Sequence, residues 1–167
     1  MTPAELKTLC ESLRLNDQAL AALTGVRDRT VRKWSSGAIH SIPADVAELL
    51  RRLDGRIASA AYEAVDAYAA AAEHHAGPGT VVLLRYRPAD MARYRPDLLA
   101  DAGGLQNVAA ALHAALVDRI RQGVERLGGT VRITWMEAEA YDAWRDGAGR
   151  RDDDASRAAW AGERLAP

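Results

Sequence analysis

Eleven apolar or small residues, Ile42, Val46, Leu49, Leu50, Leu53, Ile57, Ala60, Ala61, Ala64, Val65 and Tyr68, recur at helical spacing. At 3.6 residues per turn they hold one face for roughly seven turns. Pro43 falls in the first turn, where its missing N–H costs nothing. A helix this long outruns a small helical domain, so the chain must continue into further structure. A composition change from Ala76 to Gly79 marks where the helix stops.

Before this helix the pattern predicts three shorter ones. Thr2 and Glu5 have the spacing of a reciprocal capping box, with Leu6, Leu9 and Leu13 on one face of a helix ending near Leu15. Asn16 caps a second helix, DQALAALT, whose alanines suit close packing. Gly25 supplies the positive φ of a sharp turn, with Val26 as its buried anchor. From Arg27, Val31 and Trp34 form the apolar side of a third helix, and Ser35, Ser36 and Gly37 break it.

After the long helix the reading is a strand at about 80–87, a short helix over Pro88–Tyr94, a long amphipathic helix and a second strand. The amphipathic helix carries Leu105, Val108, Ala109, Leu112, Leu116, Ile120 and Val124 on one face. In TVRITWM, Val131, Ile133 and Trp135 alternate with Arg132 and Thr134, which predicts a strand with that face covered. From Gly147 the chain is rich in Asp, Arg, Gly and Ala and reads as a disordered tail. YRP at 86 and again at 94 is too short to signal a repeat architecture. The fold class is mainly α (α+β). The organisation is a helical unit at 1–55, a connecting helix at 56–76, an α+β dimerisation region at 77–146 and the tail at 147–167.

The overall charge is near neutral, so a basic footprint must be local. Nine of the 22 Lys and Arg and seven of the 23 Asp and Glu fall in residues 1–60, leaving thirteen against sixteen beyond. That asymmetry favours the N-terminal unit as the partner of a polyanion. Cys10 is the single cysteine, which excludes an intrachain disulfide and points to a reducing, cytoplasmic setting. No apolar run approaches eighteen residues, so no membrane span is expected.

The third helix is the candidate functional element. Asp28, Arg29, Arg32 and Lys33 face away from Val31 and Trp34, with Arg27 and Thr30 completing the set. Arg29 and Arg32 lie three apart, and their planar forks suit bidentate contact with guanine O6 and N7. Asp28 reads first as a helix cap and second as an acceptor from a cytosine amino group. Lys33, Ser35 and Ser36, near the far end, suit phosphate contact, and Gln18 at the start of the second helix suits a phosphate or a buttress. Charge alone would make these cations an ordinary solvated face; the glycine turn, small alanines, buried-type Val31 and Trp34, and the closing Gly37 reverse that reading.

The run QALAALTGVRDRTVRKWSSG from Gln18 resembles the Cro and phage-repressor (XRE) type of helix-turn-helix, over roughly residues 4–55. One departure is Ser35, where that family often carries an acid after the tryptophan. LLRYRPADMARYRPDLL followed by LQNVAAALHAALV is similar in layout to small phage-type autorepressors that accompany anti-CRISPR genes. The resemblance implies double-stranded DNA as partner, an inverted repeat as target and a homodimer built by the strand-containing C-terminal region.

A dimer is also expected on physical grounds. One short helix reads a few base pairs at about 1–3 kcal/mol each, too little to find one site in a genome. The long helix face, the second amphipathic helix and the strand edges are the surfaces that could hold two copies. The alternative function is an antitoxin-like protein whose C-terminal half neutralises a protein partner. Catalysis is not expected, since phosphate-loop, nucleophile-elbow and HExxH patterns are absent. No metal or cofactor is implied either. His74 and His75 diverge on a helix and read as end caps, and His113 reads as packed or surface. Glu137, Glu139, Asp142 and Asp146 read as a solvated acidic face.

Overall fold

A computed structural model describes residues 1–74 and 77–165. The chain opens with α1 (Pro3–Ser12), α2 (Asp17–Thr24), α3 (Asp28–Ser35) and the long α4 (Ala44–His74). It continues through β1 (Thr80–Arg85), a 3-10 turn (Pro88–Asp90), α5 (Met91–Tyr94), α6 (Pro96–Asp101) and α7 (Gln106–Arg126). β2 (Thr130–Trp135), α8 (Ala138–Gly147) and α9 (Asp154–Arg164) complete it. The architecture is mainly helical with one small sheet, as the periodicity predicts. The two strands pair in parallel, from Thr80 opposite Thr130 to Arg85 opposite Trp135. Parallel pairing requires a long crossover, and α5 to α7 supply it.

Local chemistry fixes the first helices where the sequence places them. Glu5 N donates to Thr2 Oγ1 at 3.2 Å while Thr2 N donates to Glu5 Oε2 at 2.6 Å, the predicted capping box. α1 ends at Ser12, but Arg14 N donates to Glu11 O at 3.0 Å and Leu15 N to Cys10 O at 2.8 Å. These two bonds are the Schellman ending, with Arg14 at φ 57 in the left-handed position usually given to glycine. Ala19 N donates to Asn16 Oδ1 at 2.8 Å, capping α2.

One contiguous core runs through the chain, joining Leu6, Leu20, Val31 and Trp34 to Leu50, Ile57, Leu112, Met136, Tyr141 and Trp160. The predicted face of α4 is buried at Val46, Leu50, Leu53, Ile57 and Ala61. That of α7 is buried at Val108, Ala109, Leu112, Leu116 and Val124. The two helices pack along each other, so Ile57 and Ala61 of the expected connector are core residues. The approach is close enough to need a glycine. A Cβ on Gly123 would overlap Val65 Cγ2 and lie 3.1 Å from Cγ1.

Four expectations need correction. First, the chain from Gly147 does not stay disordered through its described part, because α9 forms. Ser156 N donates to Asp153 Oδ1 at 2.8 Å to cap it, and Trp160 and Ala161 are buried. Arg157 to Asp152 at 2.8 Å, Arg164 to Glu137 at 2.6 Å and Trp144 Nε1 to Glu163 at 2.7 Å tie it down. One aromatic anchor with ion pairs holds a helix whose average apolar content is low. Second, the apolar side of β2 is only partly covered: Val131 is half-buried and Arg85 and Arg87 lie over the Trp135 ring, but Ile133 and Trp135 are each 46% exposed. Alternation marks which residues share a side, and says nothing about whether a neighbour arrives.

Third, the short helix at 88–94 is a 3-10 turn followed by α5, and α6 follows as a helix the sequence reading did not separate. Each YRP starts one of these pieces, with Pro88 and Pro96 at the first positions. Their tyrosines, Tyr86 and Tyr94, stack with ring centroids 5.1 Å apart. The recurrence is therefore local packing chemistry. Fourth, the strands are shorter than drawn, each ending before its following loop at Arg85 and Trp135.

Candidate nucleic-acid interface

Gly25 ends α2 at φ 69 and ψ 7, a conformation that costs a residue with a side chain about 1–2 kcal/mol. Thr24 Oγ1 closes the turn, donating to Leu20 O at 2.7 Å and accepting from Val26 N at 3.4 Å. Val26 packs half-buried against the core. The chain re-enters a helix at Asp28, so Gly25, Val26 and Arg27 alone separate α2 from α3.

On α3, Val31 and Trp34 are buried. At 100° per residue the opposite side holds Arg29, Arg32, Lys33 and Ser36, all four exposed. Asp28 and Ser35 fall on one flank and Thr30 on the other, each half-buried, while Arg27 is exposed at the turn. Gln18 is exposed on the first turn of α2. The structure thus gathers the predicted cations on one short convex surface.

Their partners refine the roles read from sequence. Asp28 does not cap α3, because Arg27 occupies the cap position without a side-chain bond. Asp28 instead pairs with Arg32 one turn later. Side chains on a helix lean toward its N-terminus, so the long Arg32 side chain reaches back one turn to the Asp28 carboxylate. Ser35 Oγ donates to Asp17 Oδ1 at 2.7 Å, so it braces α3 against α2. Ser36 Oγ donates to Lys33 O at 3.3 Å. Arg29 and Lys33 carry no ion pair among the described residues. Asp17 was missed by sequence reasoning, since a bond across eighteen positions leaves no periodic signal.

A groove of about 520 Å³ lies between α1, α2 and α3, lined by Lys7, Glu11, Asp17, Gln18, Asp28 and Arg32 among others. Its charges are of both signs, so its walls do not select an anion. The basic surface of α3 is therefore its outward ridge of Arg29, Lys33 and Arg32, with an acidic flank beside it.

Two buried titratable groups lie outside α3. His113 is 3% exposed and meets the Tyr86 ring at a tilt, with centroids 4.8 Å apart. Burial, reinforced by the nearby cations of Arg95 and Arg85, pushes its imidazole down to about 3. Cys10 is buried in the N-terminal core, and burial, then Asp17 and Glu11, pushes its thiol up to about 11. It stays protonated at neutral pH.

The acidic face of α8 is more than solvated. Asp142 pairs with Arg93 at 2.5 Å and Asp146 with Arg145 at 2.7 Å, and Glu137 anchors α9. Glu139 is exposed. His74 Nδ1 donates to Ala70 O at 2.7 Å, while His75, Ala76 and the last two residues of the expected tail lie outside the described residues. Among the described residues no group of three or more His, Cys, Asp or Glu is placed to hold a metal. No described helix is long and apolar enough to cross a membrane. No family model matches the chain, and no curated protein matches it.

Proposed function

We propose that the chain is a sequence-specific DNA-binding regulator, a dimeric repressor that reads an inverted repeat with α3. The observation that carries this reading is the outward ridge of Arg29, Arg32 and Lys33 on a helix anchored by Val31 and Trp34 and set at a glycine turn. An eight-residue helix presenting the unpaired guanidinium of Arg29 beside Arg32 and Lys33 suits the major groove. Arg29, with no competing ion pair, is the principal base reader. Arg32 is the second, held in place by Asp28 until a base or phosphate competes for it. Lys33, Ser36, Gln18, Arg27 and Thr30 serve the backbone, and Ser35 sets the angle between α2 and α3.

The test is titration of fluorescent DNA carrying the upstream region of its own gene against scrambled DNA at the same salt. Arg29→Ala should cost about 1–3 kcal/mol on the specific site and relax preference at one base of each half-site. Lys33→Ala should weaken all sequences alike and lower the salt slope by about 1. Equal affinity for specific and scrambled DNA sinks the reading.

A further inference from the structure

The two faces of the sheet differ in kind. Val82, Leu84 and Tyr86 of β1 and its following residue pack into the core, which leaves Val81, Leu83 and Arg85 on the opposite face. The parallel register sets these beside Val131, Ile133 and Trp135 of β2. One end of that face is cationic and aromatic. The Arg85 guanidinium lies 5.2 Å from the centre of the Trp135 ring and that of Arg87 lies 5.5 Å from it. Neither guanidinium holds a carboxylate among the described residues, whereas Arg93, Arg121, Arg145 and Arg157 each hold at least one. Arg87 donates one N–H to Met136 O at 2.9 Å, and Arg85 Nε is buried with no partner among the described residues. Burial, then the nearby Arg14 cation, lowers the Arg85 guanidinium below its ordinary value, as befits a cation without a counter-ion.

We propose that this face is a docking surface for a segment of a partner protein that carries a carboxylate beside apolar side chains. Trp and Arg are the side chains that most often anchor protein interfaces. A guanidinium held against an indole keeps N–H donors free for bidentate contact with a carboxylate. Charge selects the occupant. An uncharged partner would seal two guanidiniums from water without a counter-ion. An extended polyanion, whether a nucleic-acid strand or an anionic membrane, would also meet Asp90 and Glu139, which line a shallow groove together with Arg87. A discrete carboxylate can meet Arg85 and Arg87 while staying clear of those acids. Apolar neighbours on the same segment then match exposed Ile133 and half-buried Val131. The surface lies outside α3, and its use does not depend on DNA binding.

The experiment selects a display library of short random peptides on the full chain, then titrates the enriched peptides by fluorescence anisotropy. Enriched peptides should combine Asp or Glu with apolar residues. Replacing those acids in the peptide by Asn or Gln should weaken binding about tenfold or more, the scale of a lost interfacial charge pair. Arg85→Gln, Arg87→Gln and Trp135→Ala, each folded by circular dichroism, should weaken it comparably. The peptide substitutions leave the protein untouched, so they decide the matter even where a variant fails to fold. Neither a single-stranded oligonucleotide nor phosphatidylglycerol vesicles should displace the peptide. A library that yields no acidic peptides, amide peptides that bind equally well, folded variants that bind like the wild type, or displacement by oligonucleotide or vesicle overturns the proposal.

Discussion

Replacing Gly123 by Ala is expected to destabilise the protein, although the same change in a free helix would stabilise it. In a helix interior Ala is favoured over Gly by about 1 kcal/mol. Against that, the new Cβ would overlap Val65 Cγ2 and stand 3.1 Å from Cγ1 and 3.3 Å from Cβ. Val65 is β-branched and sits in α4, so it has one strongly preferred rotamer and cannot swing clear. Overpacking of this kind costs about 1–3 kcal/mol. The expected net loss is about 1 kcal/mol, a fall in Tm of about 2–4 °C for a chain of this size. The assay is urea unfolding of Gly123→Ala, Val65→Ala and the double variant. In the Val65→Ala background both crowding methyls are gone and only the 3.3 Å contact with the Cβ remains, so Gly123→Ala should then stabilise, by up to about 1 kcal/mol. The change of sign is the signature of the α4 to α7 contact. A Gly123→Ala protein more stable than wild type would refute the close approach.

Two further outcomes follow from buried groups outside α3. His113 is neutral in the fold down to about 3, while in the unfolded chain it titrates near its ordinary value of 6.5. The unfolded state therefore binds the extra proton, and stability should fall below pH 6.5 by about 1.4 kcal/mol per unit until the folded value is reached. Urea midpoints at pH 6, 5 and 4 for wild type and His113→Leu check this, and parallel curves would refute it. Trp160 is 4% exposed and meets Tyr141 edge-on at 5.9 Å, so Trp160→Ala should cost about 3–5 kcal/mol. A change within about 0.5 kcal/mol would mean that α9 merely rests on the surface.

The helices were legible because their signals are local. Capping at Thr2 and Asn16, the left-handed turn at Gly25 and the apolar spacing of α4 and α7 are set by neighbours within a turn or two. The chemistry of α3 was legible in the same way, since the spacing of Val31 and Trp34 alone orients Arg29, Arg32 and Lys33. α9 was not, because its stability comes from Trp160 reaching Tyr141 and from pairs with Asp152 and Glu137. Asp28 was half legible: its place near the helix start was clear, and its choice of Arg32 over the cap was not.

By itself the sequence determined the helical class, the glycine turn and the basic ridge that follows it, all consequences of backbone preference and 3.6-residue periodicity. Only the tertiary structure decided the parallel pairing of β1 and β2, the exposure of Ile133 and Trp135, the brace from Ser35 to Asp17 and the glycine contact between α4 and α7. Each of these joins residues distant along the chain. Periodicity orients a side chain relative to its own element, but which surface comes to meet it is set by how the elements pack.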